Sequence, residues 1–214
     1  MTRLVSGDGL FPPAAYARDD DSPDARFYLH PRKVVHIDDA AIAALRRLYA
    51  RVLPAGGRLL DLMASWRSHL PQGAPGRDVV GLGLNAEEMV DNPQLTSHVV
   101  HDLNRQPRLP FANEVFQGAM CAVSIQYVIH PLRVFREVSR VLQPGAPFVV
   151  SFSNRCFPTK AAAVWLGTTE AQHRTLVRTY FEAAGGWRDL VDEDRSPGDG
   201  DPLYTVWART ITPS

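Results

Sequence analysis

Residues 107–153 read PRLPFANEVFQGAMCAVSIQYVIHPLRVFREVSRVLQPGAPFVVSFS, and this stretch decides the fold class. Gln117–Ser124 is a nearly continuous apolar run, which is typical of a strand covered on both faces. Pro131–Val141 carries its apolar residues at helical spacing, with charged residues on the opposite face. The dipeptide Pro144-Gly145 ends that helix, and Pro147–Phe152 is a second β-rich run. We therefore predict two parallel strands joined by a right-handed helical crossover.

The same alternation of strands and helices extends over most of the chain. Asp38-Asp39 can cap a helix whose apolar stripe runs to about Leu53. Arg58–Met63 follows as the first strand, which we expect to open a strand–loop–helix unit. Further strands are predicted at 78–84, 97–103, 117–124, 147–152, 187–191 and 203–211, and further helices at 86–90, 131–141, 159–166 and 169–184.

Short motifs in the central stretch occur in the order and spacing of one known family. They are Leu109-Pro110-Phe111, Phe116-Gln117, Glu137-Val138, Arg140-Val141-Leu142 and Pro144-Gly145-Ala146. With these motifs the chain resembles the class I S-adenosylmethionine (SAM)-dependent methyltransferases, especially their type 11 group. Gln117 stands where that group usually has Asp, and Ala146 where it has a second Gly.

The resemblance covers roughly residues 40–211 and implies a fold class, α/β with a Rossmann-like doubly wound sheet. That sheet has about seven strands, mostly parallel, and ends in an antiparallel hairpin with helices on both faces. It also implies SAM as the cofactor and a small molecule as the methyl acceptor.

Composition narrows the function classes. The chain of 214 residues has 23 Lys and Arg against 23 Asp and Glu, so it lacks the basic surplus expected of a nucleic-acid-binding protein. Its two cysteines, Cys121 and Cys156, form neither a disulfide framework nor a zinc-ligand spacing, and we expect no metal site. No apolar run has the length of a signal peptide or a membrane span, so we expect a cytoplasmic protein.

Two regions are expected along the chain. Residues 1–37 form an N-terminal arm, because positions 1–26 are rich in Gly, Pro and Asp and read as irregular chain. Within the arm, Phe27–Ile37 (FYLHPRKVVHI) is aromatic and apolar, and we hypothesise that it is a lid over an acceptor pocket. Residues 38–214 form a single methyltransferase-like domain, for which a homodimer is left open.

Ligands of open parallel sheets bind beyond the carboxyl ends of the strands, which directs attention to the residues after each strand. After the first strand, Asp61 matches the family's acidic position, while Met63, Ala64 and Ser65 replace its glycine-rich turn. The resemblance implies that these four residues contact SAM around its methionine part. The alternative is that Asp61 only caps or pairs within the protein.

The second and third strands are followed by further polar candidates. Gly83 occupies the place of the family's ribose-binding carboxylate, so the amide of Asn85 is the substitute we consider, with a helix cap as its alternative. Glu87 and Glu88 lie in the next turn as further carboxylates. Asp102 resembles the family's adenine-binding Asp, with the backbone of Leu103 beside the ring. Its alternative is a plain loop carboxylate. At the fourth strand, Val123 and Ser124 are expected beside the cofactor.

Catalytic residues are harder to assign, because methyl transfer depends largely on positioning. The catalytic candidates are His36, Tyr127 and Arg155. His30, His69 and His130 could also act as bases, although a lone histidine is more often structural. Arg155 and Lys160 could bind an anionic acceptor, with loop and cap chemistry as the alternative.

The sequence therefore predicts a SAM-dependent methyltransferase acting on a small molecule. The alternative is a binding protein of the same fold without catalysis, because the glycine turn and the ribose carboxylate are both absent. A nicotinamide-dependent oxidoreductase is disfavoured, since GLGLNA at 81–86 is not a dinucleotide fingerprint.

Overall fold

The structure is a computed structural model that describes residues 9–73 and 76–211. Its strands are β1 (Gly57–Leu62), β2 (Arg77–Gly83), β3 (Ser97–Val100), β4 (Gly118–Ala122), β5 (Pro147–Phe152), β6 (Trp187–Asp194) and β7 (Tyr204–Thr210). Its α-helices are α1 (Asp24–Phe27), α2 (Asp39–Val52), α3 (Ala86–Val90), α4 (Pro131–Val141), α5 (Ala163–Leu166) and α6 (Glu170–Ala184). Short 3₁₀ helices occupy Pro13–Tyr16, Ile125–Tyr127 and Pro158–Lys160.

The strands form one sheet in the order β3-β2-β1-β4-β5-β7-β6. The first five strands of that order pair in parallel, whereas β7 is antiparallel to both β5 and β6. The predicted fold class, a mostly parallel doubly wound sheet with a terminal hairpin, is confirmed. The strand order reverses between β1 and β4, which is where such a sheet opens a crevice for a ligand.

Helices cover both faces of the sheet. On one face α2 packs against β1, β2, β4 and β5 through a buried cluster that includes Leu45, Leu48 and Tyr49. On the other face α4 and α6 pack on β5, where the rings of Phe135 and Phe181 lie 5.3 and 5.6 Å from that of Phe148. The apolar residues of these helices, spaced three to four positions apart, form one face that packs on the sheet.

Local sequence signals explain where the longer helices begin and end. Asp38 caps α2 by accepting a hydrogen bond from the Ala41 N–H at 2.9 Å. Thr169 and Gln172 form a capping box at the start of α6, and Gly185 ends that helix with a φ of 71°. None of the helices in the described residues is long and apolar enough to cross a bilayer.

The predicted helix between the first two strands is wrong. Residues 63–73 connect β1 toward β2 without any helix, and the chain re-enters the sheet at Arg77. Two prolines and two glycines between Pro71 and Gly76 disfavour a helix there. The predicted helix at 159–166 is also interrupted, into the 3₁₀ turn at Pro158–Lys160 and α5.

The N-terminal arm is more regular than predicted over its described part. Residues 9–28 include a 3₁₀ turn and the short helix α1, and residues 1–8 lie outside the described residues. Backbone hydrogen bonds join the arm to the C-terminal half, from Asp20 N to Thr159 O at 2.8 Å and from Ala163 N to Ala17 O at 2.9 Å. These bonds place the following residues, 28–37, against the carboxyl edge of the sheet.

Candidate active site

A cleft opens at the carboxyl ends of β1, β2 and β4. It contains about 1170 Å³ of space free of protein atoms, including the part open to solvent. Its walls come from the segments that follow these strands, from α3 and from the N-terminal residues 28–37. It lies at the reversal of strand order, where a ligand site is expected.

The cleft brings together most of the residues singled out in the sequence. Every predicted cofactor-binding residue lines it, namely Asp61, Met63, Ala64, Ser65, Asn85, Asp102, Leu103, Val123 and Ser124. Of the three catalytic candidates, His36 and Tyr127 line the cleft, and Arg155 does not. The carboxyl ends of separate strands therefore converge on one cleft.

Asp61, at the end of β1, is the most unusual acid of the cleft. The residue is 3% exposed, and its Oδ2 atom is buried without a hydrogen-bond partner among the described residues. Burial raises the pKa of this carboxyl to about 7, and a hydrogen bond with Ser68 opposes the rise. Asp61 thus presents a carboxyl to the cleft with one oxygen that the protein does not satisfy.

The turn after β1 keeps a left-handed backbone without glycine. Met63 has a φ of 59°, and the Ala64 N–H donates to Leu82 O at 2.9 Å. A residue with a side chain pays about 1–2 kcal/mol for this conformation. Val123, at the end of β4, has a φ of 48°, which is rarer still for a β-branched residue. Strained backbone therefore occurs on two sides of the same cleft.

Gly83 sits where the turn after β1 presses on the end of β2. A Cβ atom at this position would lie 2.2 Å from Ala64 O, so no side chain fits this backbone. The carboxylate that the resemblance places here is therefore excluded by the close approach of the two segments. Glycine is therefore a structural requirement at position 83 of this chain.

Asn85 is a helix cap in the structure. Its Oδ1 accepts from the Glu88 N–H at 3.0 Å, and its Nδ2 donates to Tyr28 O at 2.9 Å. Both ends of the amide are thus engaged with the protein, as the alternative interpretation predicts. Asn85 lines the cleft while also fixing the N-terminal segment to α3.

Glu88 is a buried acid of the cleft, one of the two carboxylates that the sequence places in the turn after Asn85. It is 5% exposed, accepts from the Arg32 N–H at 2.6 Å and from the Ser65 hydroxyl at 2.6 Å. Its carboxylate therefore joins the N-terminal segment, α3 and the turn after β1. Its position in the first turn of a short helix was the only signal available in the sequence.

Asp102 follows β3, and one of its two carboxylate oxygens accepts hydrogen bonds from the protein. Oδ1 accepts from the backbone N–H groups of Asn104 and Arg105 at 3.0 and 3.1 Å. Oδ2 accepts no hydrogen bond from the described residues. The loop-stabilising role is therefore present, and the second oxygen is left for another partner.

Residues of the predicted lid form one wall of the cleft. Tyr28, Arg32 and the run from Val34 to Ile37 all line it. The Phe157 ring meets Phe27 and His36 edge-on, at centroid distances of 5.6 and 5.2 Å. The wall is thus aromatic and apolar, as the composition of the segment suggested.

Three histidines line the cleft, His36, His69 and His101, and two of them have a lowered pKa. Burial lowers the pKa of His36, and it lowers the pKa of His69 to about 4, with nearby Arg46 and Arg67 contributing to the latter. His30 and His130 do not line the cleft. A neutral imidazole at pH 7 can accept a proton from an acceptor molecule.

The Tyr127 hydroxyl has a structural role in the cleft. Its hydroxyl oxygen accepts from the Phe157 N–H at 2.8 Å, and burial raises its pKa to about 12. The phenol therefore stays protonated at neutral pH and is a poor base.

Arg155 and Lys160, considered as an anion site with loop and cap chemistry as the alternative, lie outside the cleft. The Arg155 side chain is 63% exposed and pairs with Asp201 at 3.0 Å. Lys160 is 1% exposed and donates to Ser22 O at 2.6 Å while pairing with Asp24 at 3.3 Å. Both cations are therefore engaged within the protein, and neither lines the cleft.

The chain is similar to known methyltransferases over its central part. Residues 68–150 match the type 11 methyltransferase family, described as "Methyltransferase domain". A match to the Methyltransferase phqN of Penicillium fellutanum has 33% identity over 81 residues, 35% of this chain and 25% of that protein. A match to the biotin biosynthesis bifunctional protein BioHC of Teredinibacter turnerae has 30% identity over 66 residues, 31% of this chain. That second match spans 12% of BioHC, so the chain matches a quarter or less of these relatives.

A solved structure supports the fold over a longer range. The SAM-dependent methyltransferase from Mesorhizobium loti superposes with a TM-score of 0.54 and 20% identity. The superposition covers 80% of this chain and 99% of that protein. At this identity the likeness establishes the fold alone.

Proposed function

We propose that this chain is a class I, type 11 SAM-dependent methyltransferase that transfers a methyl group to a small molecule. The observation that carries the proposal is Asp61, a buried acid with an unsatisfied oxygen in a cleft at the switch point of the sheet. The methionine part of SAM ends in an ammonium group, which is the partner such an oxygen lacks. The residues present in the cleft therefore fit the cofactor.

Several groups of the chain would hold SAM. Asp61 would bind the ammonium, and the free Oδ2 of Asp102 would accept from the adenine amino group. The absence of a side chain at Gly83 lets the turn after β1 close on β2. Bound SAM supplies an electrophilic methyl group on a sulfonium.

The chain would then position the acceptor and accept its proton. His36 is the candidate base for an acceptor with an O–H or N–H group, and His69, with a pKa lowered to about 4, is a weaker one. Residues 28–37 would act as a lid that keeps water from the reacting atoms.

Calorimetric titration with SAM and with S-adenosylhomocysteine tests the proposal. Binding of either with micromolar affinity, corresponding to about 8 kcal/mol, is the expected result for the wild-type chain. Asp61→Asn should weaken this binding about tenfold or more, because the neutral amide cannot form a charge-assisted hydrogen bond with the ammonium through an ionised oxygen. Absence of binding up to millimolar ligand would refute the proposal.

Turnover needs a separate assay with a panel of phenols, amines and carboxylates. Methylated product with the wild-type chain, reduced in His36→Gln or His69→Gln at unchanged SAM affinity, is the expected result. Binding without any turnover would instead favour the non-catalytic alternative.

The lid hypothesis is tested by deletion of residues 1–37. Because the arm carries the buried Asp24 and Ile37, folding of the shortened chain must first be checked by circular dichroism. A folded deletion variant with unchanged SAM binding and transfer would rule out the lid.

A further inference from the structure

The guanidinium of Arg32, a residue that lines the cleft, has a hydrogen-bond donor without a partner among the described residues. Its carbon Cζ lies 3.9 Å above the Phe27 ring and 5.4 Å from the Phe157 ring centroid. Its Nη1 atom is buried without a hydrogen-bond partner among the described residues. Two aromatic rings thus lie beside the guanidinium, and its Nη1 donor is left for another group.

No acid of the cleft serves Arg32 through its side chain. The Asp24 carboxylate accepts from Arg18 at 2.7 and 2.8 Å and from Asn104 at 2.7 Å. Glu88 receives the Arg32 backbone N–H, and no ion pair joins its carboxylate to the guanidinium among the described residues. Arg32 as a whole is half-buried, but its Nη1 donor is buried and unpaired. A buried donor without a partner is costly, so an anionic partner would complete the site.

The other arginine of the cleft is satisfied. Arg67 Nη1 donates to Trp66 O at 2.9 Å, and its Cζ lies 3.9 Å from the Trp66 ring centroid. Arg67 therefore provides a matched comparison, since it lines the same cleft and stacks on an aromatic ring.

We propose that Arg32 is a carboxylate-binding residue of this cleft, holding a carboxylate through the in-plane donors of its guanidinium. The inference rests on the proposed function only in taking the cleft as a ligand site. The carboxylate has two sources, the amino-acid part of the cofactor or the acceptor molecule. In both cases the planar fork of Arg32 selects a planar anion.

Calorimetric titrations of the full chain and of Arg32→Met distinguish the sources. The probes are S-adenosylhomocysteine, which has a carboxylate, and 5′-methylthioadenosine, which has the same nucleoside thioether without the amino-acid part. Benzoate and benzyl alcohol form the corresponding pair for the acceptor. We expect Arg32→Met to weaken one carboxylate probe about tenfold or more and to leave its neutral counterpart unchanged.

A loss of affinity confined to S-adenosylhomocysteine assigns the carboxylate to the cofactor. A loss of affinity confined to benzoate assigns it to the acceptor. Arg67→Met should leave all four affinities unchanged, and Arg32→Lys should retain part of the preference for the carboxylate. Equal affinities in Arg32→Met and wild type, or equal losses of a carboxylate and its neutral counterpart, would overturn the inference.

The same experiment separates this inference from the proposed function. If the wild-type chain binds neither adenosyl compound, SAM use is refuted, and the benzoate pair alone decides the role of Arg32. Wild-type binding of none of the four probes would overturn both.

Discussion

Gly83 is where two segments of the cleft come closest together. Gly83→Ala would place a Cβ 2.2 Å from Ala64 O, so the turn after β1 must shift. We expect a loss of about 1–3 kcal/mol in unfolding free energy, measured by chemical denaturation. Gly198→Ala is the matched control, because a Cβ there meets nothing within 4 Å. Equal stability of Gly83→Ala and wild type would show that the turn is free to move.

The raised pKa of Asp61 makes its contribution to stability depend on pH. This carboxyl has a pKa of 3.8 when unperturbed and about 7 in the folded chain, so between these values the folded state binds more protons. Wild-type stability is therefore lost as pH rises from about 4 to about 7. Asp61→Asn lacks this loss and should become relatively more stable above pH 7, by at most about 4 kcal/mol.

Denaturation of both proteins from pH 4 to pH 8 checks this prediction. His69, whose lowered pKa makes stability fall as pH drops from 6.5 toward 4, is common to both and cancels in the difference. A difference that does not change with pH would mean that Asp61 is ionised in the folded chain.

At the scale of elements, α3 holds the N-terminal segment through Glu88. Glu88→Ala removes the acceptor of the Arg32 N–H, and we expect faster hydrogen exchange at that amide. The neighbouring Glu87→Ala is the control, since the Glu87 side chain is 64% exposed and lies 3.5 Å from Lys33. If the Arg32 amide exchanges equally in both variants, the aromatic contacts alone hold the segment.

The elements with regular apolar periods could be predicted from the sequence. The bounds of α3, α4 and β5 were predicted to the residue. Their signals are local in the sequence: the Asn85 cap, the Pro144-Gly145 stop and the helical spacing of apolar residues. The convergence of Asp61 and Asp102 on one cleft followed from the parallel order of their strands.

The turn after β1 could not be predicted in the same way. It is held by distant side chains: Asn92 donates to Ser65 O at 2.8 Å, and Trp66 donates to Val34 O at 2.9 Å. Such contacts, 27 and 32 residues apart in the chain, leave no periodic pattern. The burial of Lys160 was missed for the same reason, since its partner Ser22 lies 138 residues away.

At the scale of the whole molecule, Lys160 joins the N-terminal arm to the C-terminal half. Lys160→Met would leave Asp20 and Asp24 without this cation, although Asp24 keeps Arg18. We expect a loss of about 3 kcal/mol in unfolding free energy, and faster hydrogen exchange at the Asp20 amide. Arg155→Met, at an exposed ion pair, should cost less than about 1 kcal/mol. Similar stabilities of the two variants would contradict this anchoring role.

The uncharged state of Asp61 makes ligand entry an exchange of charges. Below pH 7 the free protein holds a proton on this carboxyl, and a bound ammonium requires that the proton leave. Release of nearly one proton at pH 6 would make the binding enthalpy differ between phosphate and imidazole buffers, and this difference should vanish in Asp61→Asn. An identical enthalpy in both buffers would contradict it. The ammonium of the ligand enters as the proton of Asp61 leaves. A chain of zero formal charge would therefore bind this ammonium without a change of net charge at this group.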